Sequence, residues 1–361
     1  MKESIIEYLG CPKCNSDLDL KKNSICTITR HIIDGELTCT GCKTVYLIIK
    51  GVPFFDLNIS DSDVDRNIKN FADEWNYFTS KIDEKLTRGE LESYFYSFVQ
   101  YKDLDNKIIL DAGCGGGRFS YIISRLTNAK EIIGVDLSNA VFTAFENTKH
   151  LGNVTIIQAD IRKMPFKKKK LFDFILSVGV IHHMPDPYMG FEYLIQHLNE
   201  NAKILAWVYG KEGNSIYISI ADPIRKVLTS RLPFKYNLCL SFILSSILWG
   251  TIWIFYFPAN VILGEEIASR ILPMNKYLNF FRKRGFKDFW RTVFDKMIPT
   301  IAHYISNQEI KNWFASSNLQ YEVYFRNGHS WLGFGQTNSK VLTTTEKHHI
   351  KSANSVSFLP N

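Results

Sequence analysis

At 361 residues, 45% hydrophobic and 22% charged, the chain has the makeup of an ordinary globular protein with room for two domains. The net charge of +7 permits contact with RNA or anionic lipid and demonstrates neither. The first residues lead into no long apolar stretch, so no secretory leader is expected, and seven cysteines without one argue for thiols or metal over disulfides.

Two C-x-x-C knuckles come first, Cys11-Pro12-Lys13-Cys14 and Cys39-Thr40-Gly41-Cys42, with 24 residues between them. Such turns bring four thiolates into a tetrahedron, the donor set of a structural Zn2+ with no open position. A redox pair would need only one knuckle. Cys11, Cys14, Cys39 and Cys42 are therefore the expected metal ligands, while Cys26 and Cys239 read as ordinary thiols. With the apolar strand that follows, Thr44 to Phe55, the knuckles resemble the small zinc-binding partner protein that activates several tRNA and protein methyltransferases, here fused in cis over residues 1–57. So small a module buries little core, and the metal should supply much of its stability.

Residues 58–63 are polar and turn-rich, a natural linker. The stripe Ile68, Phe71, Trp75, Phe78 predicts a helix over 64–78, and a second is expected over 91–101. These leading helices (58–104) place Trp75, Asn76 and Tyr77 where they could border a site.

The chain is organised around Asp111-Ala112-Gly113-Cys114-Gly115-Gly116-Gly117, which follows the apolar run 107–110. A β-branched run stopping at glycines reads as a buried strand entering a tight turn, and the next nine residues have helical spacing. The helix's first N–H groups then face the loop. A carboxylate at Asp111 would repel a dinucleotide's pyrophosphate but suits a ligand carrying an ammonium group, such as S-adenosylmethionine. A second strand, 131–136, ends in Asp136, which can accept both ribose hydroxyls. A third, 154–160, ends in Asp160, able to take an adenine amino group. This trio resembles a class I S-adenosylmethionine-dependent methyltransferase. The resemblance implies that Asp111, Gly113, Cys114 and Gly115 surround the methionine part, that Asp136 holds the ribose, and that Leu137, Asp160 and Ile161 frame the adenine. The competing reading is an NAD-type Rossmann domain.

Residues 162–170, with a run of four lysines, are expected to be a solvated turn. The fourth strand ends at Ser177, a further cofactor-side candidate, and runs into Ile181-His182-His183-Met184-Pro185-Asp186-Pro187. That turn is similar to one in small-molecule members of the family, quinone-biosynthesis enzymes among them. The N-P-P-Y and D-P-P-Y tetrads of adenine- and glutamine-modifying enzymes are absent. His182 and His183 are candidates for a general base because histidine titrates near neutrality. A fifth strand is expected at 202–209. The last two, 320–325 and 330–335, form an antiparallel pair turning at Asn327-Gly328, preceded by a helix capped by Ser306. The domain plan is thus a core at 105–210 and 301–340, an insertion at 211–300, and a disordered tail at 341–361. The fold class is α/β, a doubly wound seven-stranded Rossmann-like sheet with an N-terminal zinc ribbon and a helical insertion.

Inside the insertion, residues 238–257 carry no charge. Length alone suits a transmembrane helix, but one crossing would leave the last two strands on the far side of the membrane from their sheet. A hairpin turning at Pro258-Ala259-Asn260, with a second helix over 261–272, is expected instead. It would act as a dry lid, a shallow membrane anchor or a homodimer contact, the last burying its apolar surface against a second copy. His303 and Asp295 are second-rank site candidates from a D-x-x-x-P…H stretch similar to one that faces the acceptor in related enzymes.

The resulting expectation is methyl transfer from S-adenosylmethionine to an apolar small molecule (a lipid, quinone-like compound or secondary metabolite, with O-methylation favoured). It takes structural Zn2+ as second cofactor, and places the chain in the cytoplasm, at most peripheral on the inner membrane face. Nucleic acid is an unlikely partner in this reading. The alternatives are an rRNA or tRNA base methyltransferase and a non-catalytic cofactor-binding scaffold.

Overall fold

The computed structural model describes residues 1–55, 61–78, 81–167, 170–215 and 217–337. Residues 58–60 of the linker, two of the four consecutive lysines and the expected tail at 341–361 lie outside the described residues.

The N-terminal module is an antiparallel sheet of β1 (Leu18–Ile25), β2 (Ile32–Cys39), β3 (Val45–Ile49) and β4 (Val52–Pro53). Two helices follow, α1 (Ser62–Phe78) and α2 (Glu84–Phe95). The second lies seven residues earlier than expected. Asp83 caps it by accepting from Leu86 N at 2.9 Å, and Tyr96, at φ +45°, ends it.

The core alternates β5 (Ile108–Ala112), α3 (Arg118–Leu126), β6 (Glu131–Asp136), α4 (Ala140–Thr148), β7 (Val154–Gln158), β8 (Phe172–Val178), α5 (Pro187–Ile195) and β9 (Leu198–Tyr209). The near-continuous β-branched runs in β5 to β7 are what a parallel sheet buried on both faces requires.

The insertion adds α6 (Asp222–Val227), α7 (Phe234–Thr251), α8 (Phe257–Leu263), α9 (Glu265–Ile271), α10 (Asn275–Arg284) and α11 (Phe286–Met297). Then α12 (Asn307–Ser316), capped by Ser306 and Glu309 together, leads to β10 (Gln320–Arg326) and β11 (Ser330–Gln336). The sheet order is β10-β11-β9-β8-β5-β6-β7, with only β10 and β11 antiparallel to their neighbours. This is the seven-stranded mixed sheet expected from the sequence.

The hairpin differs from its expected form. The chain does not turn at Pro258-Ala259-Asn260; it stays helical from Phe234 to Leu263 through a five-residue π turn, Ile252–Tyr256. Pro258 then sits in the first turn of α8, where its missing N–H and its ring cost little. The reversal comes at Gly264, whose φ of +78° suits glycine.

The module joins the core edge to edge. Phe54 bridges Gln158 in parallel, and Phe55 N donates to Gln158 O at 3.0 Å, so the module covers the open edge of β7. Phe55, 2% exposed, packs in one apolar cluster with Leu37, Tyr46, Val135 and Ile157. Burying such a side chain contributes about 1.5–3 kcal/mol. The turn at Gly51 lies against α4, where a Cβ would strike the Phe145 ring at 2.3 Å. The stretch expected as a solvated turn is also used here. Leu9 bridges Phe166, Gly10 N donates to Pro165 O at 2.9 Å, and Met164 and Phe166 are buried.

Candidate active site and metal centre

The four knuckle thiols converge. Sγ of Cys11, Cys14, Cys39 and Cys42 all lie within 4.8 Å of one another, with Cys14 to Cys39 at 3.3 Å and Cys11 to Cys42 at 3.6 Å. A tetrahedron of thiolates about 2.3 Å from Zn2+ has edges of about 3.8 Å, so the set fits that ion. Cys42 N lies 3.3 Å from Cys39 Sγ, and the hydroxyls of Tyr46 and Thr44 lie 3.2 Å from Cys11 and Cys42 Sγ. Such donors orient thiolate ligands and offset their charge.

At the carboxyl ends of the core strands lies a cavity of about 260 Å3. Its floor comes from the sheet: Gly113, Asp136, Leu137, Asp160, Ile161 and His183 all line it. Gly113, Gly115 and Gly117 carry positive φ. All three also sit where a side chain would crowd a neighbour: a Cβ on Gly113 would meet Val180 at 2.2 Å, one on Gly115 the Trp75 indole at 3.0 Å, and one on Gly117 the Ala144 Cβ at 2.9 Å. Asp136 holds the loop, its Oδ2 accepting from Gly115 N and its Oδ1 from Ser138 N, both at 2.8 Å. Each oxygen keeps a further lone pair for a ligand hydroxyl. Asp160 is engaged by Arg162, whose Nη2 lies 2.6 Å from Oδ2.

Other sequence candidates stand outside the wall. Asp111 is buried behind the loop, its Oδ2 accepting from Ser120 N at 3.1 Å and Ser120 Oγ at 2.6 Å; burial pushes its pKa up to about 6. Cys114 turns away, so that a Cβ on Gly134 would lie 3.0 Å from its sulfur, and Gly115 is covered by Trp75. Ser177 is buried within β8. His182 is fully buried, with neither ring nitrogen hydrogen-bonded, and packs on Tyr209 at 4.0 Å between centroids; burial holds it neutral. His303 donates its backbone N–H to His182 O at 2.8 Å but does not line the cavity. Of the three histidines only His183 does. Its Nδ1 is 2.7 Å from Ile301 O, which can only accept, so the proton is on Nδ1 and Nε2 carries the lone pair. Burial lowers its pKa to about 4.

The roof is where sequence reasoning saw least. It comes from α1, α2, α10 and α11, and the lid function expected of residues 238–272 falls instead to 275–297. Glu90 of α2 accepts from Arg118 Nη1 at 2.6 Å and Nη2 at 2.8 Å, and from Arg284 Nη2 at 3.1 Å, with Arg291 Nη2 at 3.6 Å. Asp288 pairs with Arg284 at 2.5 Å and with Arg291 at 2.8 Å. Burial alone would raise the Glu90 pKa, but the guanidiniums outweigh it and hold it well below the usual range. Asp295, a second-rank candidate, does reach the cavity and accepts from Tyr209 Oη at 2.7 Å. Beside it are Lys296, whose Nζ lies 4.5 Å from the Tyr209 ring centroid, and Glu74, 1% exposed with Oε2 unpaired. Burial, then the facing Asp295, pushes Glu74 well above the ordinary carboxylate range.

Comparison with known proteins matches residues 109–201 to a family described as "Methyltransferase domain" and residues 2–51 to "Trm112p-like protein". The chain carries a methyltransferase domain behind a Trm112p-like module. Among its relatives, a "tRNA U34 carboxymethyltransferase" of Campylobacter fetus is 29% identical over 161 residues, 42% of this chain and 56% of that protein. A "Malonyl-[acyl-carrier protein] O-methyltransferase" of Legionella pneumophila is 31% identical over 124 residues, 34% of this chain and 43% of that protein. The chain therefore spans about half the length of these curated relatives. A solved complex of the Haloferax volcanii Trm112 methyltransferase activator with a putative methyltransferase aligns at 11% identity and TM-score 0.39, covering 72% of this chain and 99% of that one.

The tRNA name recurs in relatives from Pseudoalteromonas atlantica and others. It overturns two expectations drawn from the sequence, the apolar small-molecule acceptor and the unlikelihood of nucleic acid. The physical reason is that the apolar run which suggested an apolar acceptor is not part of the cavity wall. That wall carries six carboxylates and six cationic side chains among its described residues.

Proposed function

We propose that this methyltransferase domain transfers a one-carbon-linked group from an S-adenosylmethionine-type sulfonium to a base of tRNA. The observation that carries the reading is the recurring tRNA U34 carboxymethyltransferase name among relatives of the domain. A net charge of +7 is in keeping with a phosphate-bearing substrate.

S-adenosylmethionine, when bound, supplies a carbon on cationic sulfur, and that bond breaks as the acceptor's lone pair attacks. The residues of this chain have the remaining work of placement. Asp136 would accept the ribose hydroxyls, Leu137 and Ile161 would flank the adenine, and Asp160 would take its amino group while keeping Arg162. Gly113 leaves room for the backbone to approach the ligand. Asp111 positions the loop through Ser120. A proton leaving the acceptor atom finds the Nε2 lone pair of His183, a weak base whose pKa near 4 makes proton loss follow bond formation. Structural Zn2+ on the four cysteines fits the same reading, fixing the module that covers β7.

The test is incubation of the purified chain with S-adenosylmethionine labelled in its methyl group and bulk tRNA, then nuclease digestion and mass spectrometry of the nucleosides. Label in one modified nucleoside, reduced at least about tenfold in Asp136→Asn, is the expected result. Label confined to an organic-soluble fraction or to protein overturns the reading.

A further inference from the structure

The long apolar helix has its polarity reversed. Along the inner side of α7, Asn237, Ser241 and Ser245 are each 1% exposed or less. Asn237 donates to Thr229 O at 2.7 Å, and Ser241 Oγ accepts from Trp290 Nε1 at 2.9 Å. The outward side carries Phe242, Ile243 and Leu244, then Ile247 and Leu248, and further along Trp253, Ile254 and Phe255, all exposed. A helix packed on a soluble core in water has the opposite pattern.

From Phe234 to Leu263 the helical stretch spans 30 residues, and only 17% of its most apolar 18-residue window is buried. At 1.5 Å per residue it is about 45 Å long.

Three consecutive exposed residues cover about 200° of a helix surface. A second protein chain covers a stripe of a helix, whereas lipid can surround most of its circumference. None of α7, α8 or α9 lines the cavity, so the apolar side is not a lid waiting for substrate. Nor can the helix cross a bilayer and leave the fold intact, because β9 before it and β11 after it pair residue by residue in one sheet. Exposed cations mark both ends of the stretch, Lys226 and Arg231 before it with Lys235 in its first turn, and Arg270, Lys276 and Lys283 after it, against two acids, Glu265 and Glu266. Tyr236 and Trp253 are exposed aromatics of the kind that settle at the headgroup level.

We propose that α7 and α8 lie along the interface of an anionic lipid bilayer, with their apolar side in the acyl boundary and the flanking lysines and arginines among the headgroups. This surface is separate from the cavity and independent of which acceptor the cavity takes. It touches the catalytic region through α11, which packs along α7 and supplies Arg291, Asp295 and Lys296 to the cavity roof.

The experiment is flotation of the full chain with vesicles of phosphatidylethanolamine and phosphatidylglycerol, and with vesicles of phosphatidylcholine alone, alongside light scattering to fix the oligomeric state. The expected result is co-flotation with the anionic vesicles at least tenfold above the neutral ones, weakened by high salt. The triple variant Ile243→Glu, Ile247→Glu, Ile254→Glu should stay at the bottom of the gradient with an unchanged melting temperature, since all three side chains are exposed. Arg231→Glu with Lys235→Glu, both at exposed positions, should reduce the anionic preference by itself. A chain that ignores both vesicle types overturns the proposal. In that case a dimer dissociated by the same triple variant would assign the surface to a second copy.

Discussion

Replacing Glu90 by Gln tests the roof of the cavity. Glu90 is 8% exposed, and its carboxylate is the meeting point of α2, α3, α10 and α11, accepting from Arg118 twice and from Arg284 once. Breaking a buried pair by removing one partner costs about 3–5 kcal/mol, because the other charge is left without compensation. Arg284 and Arg291 keep Asp288, so only Arg118 loses its whole carboxylate, and it retains the faces of Phe119 at 4.2 Å and Trp75 at 5.5 Å. The lower end applies, about 3 kcal/mol, or a fall in Tm of roughly 4 °C for a chain of this length. Differential scanning calorimetry of the full chain reads it.

The pH dependence carries the sign. Glu90 is depressed in the folded state, so its stabilisation is fully present above the unfolded carboxyl value of about 4.3 and is lost as pH falls through the folded one. Glu90→Gln should lack that acid limb. Adding Arg118→Met should restore part of the loss by removing the orphaned cation. An unchanged Tm in Glu90→Gln, or a double variant worse than the sum of the singles, refutes the argument that this cluster clamps the roof.

Cys39→Ser should lose about one equivalent of zinc by elemental analysis. Because the module's edge ends on Gln158, two residues before Asp160, cofactor affinity by titration calorimetry should fall about tenfold as well. Asp136→Asn should weaken S-adenosylhomocysteine binding by about 10- to 100-fold, the loss of about one hydrogen bond to a charged acceptor at about 1.5–3 kcal/mol, and should lower Tm as well, because the amide nitrogen would face the N–H of Gly115 or Ser138. Glu74 behaves oppositely to Glu90. Its pKa is raised, so stability present below about pH 4.3 is lost as pH rises through the folded value, and Glu74→Gln should flatten that loss in urea melts across pH 4 to 8. His182→Phe, which removes a buried ring with no hydrogen bonds, should leave turnover within about threefold, whereas His183→Ala should lower it by 100-fold or more.

What was legible in the sequence was local. Strands β5 to β8 announce themselves by β-branched runs ending in glycine or an acid, and the knuckles by their spacing. The reversal at Gly264 was hidden because a π turn lets Pro258 enter a helix without breaking it, so the expected turn was placed six residues early. The start of α2 is marked in the sequence by Asp83, a residue type that favours the N-cap. The roof was readable only at Trp75 and Asp295. Glu90, Arg118, Arg284 and Arg291 come from four helices spread over 200 residues, and an ion pair leaves no periodic trace in either strand of sequence that contributes to it. The reversed polarity of α7 lies between these cases. Asn237, Ser241 and Ser245 recur every four residues in a mostly apolar run, a stripe visible in advance, though only packing shows that it faces inward.

The junction at Gln158 has a consequence for how such an enzyme is supplied with its supporting module. When the strand that covers β7 belongs to a separate chain, the fraction of catalytic domains with a protected edge depends on the abundance of that chain and on rivals for it. Here a short linker holds β4 beside β7 at an effective concentration of order millimolar. Every copy made carries its own cover in fixed one-to-one stoichiometry.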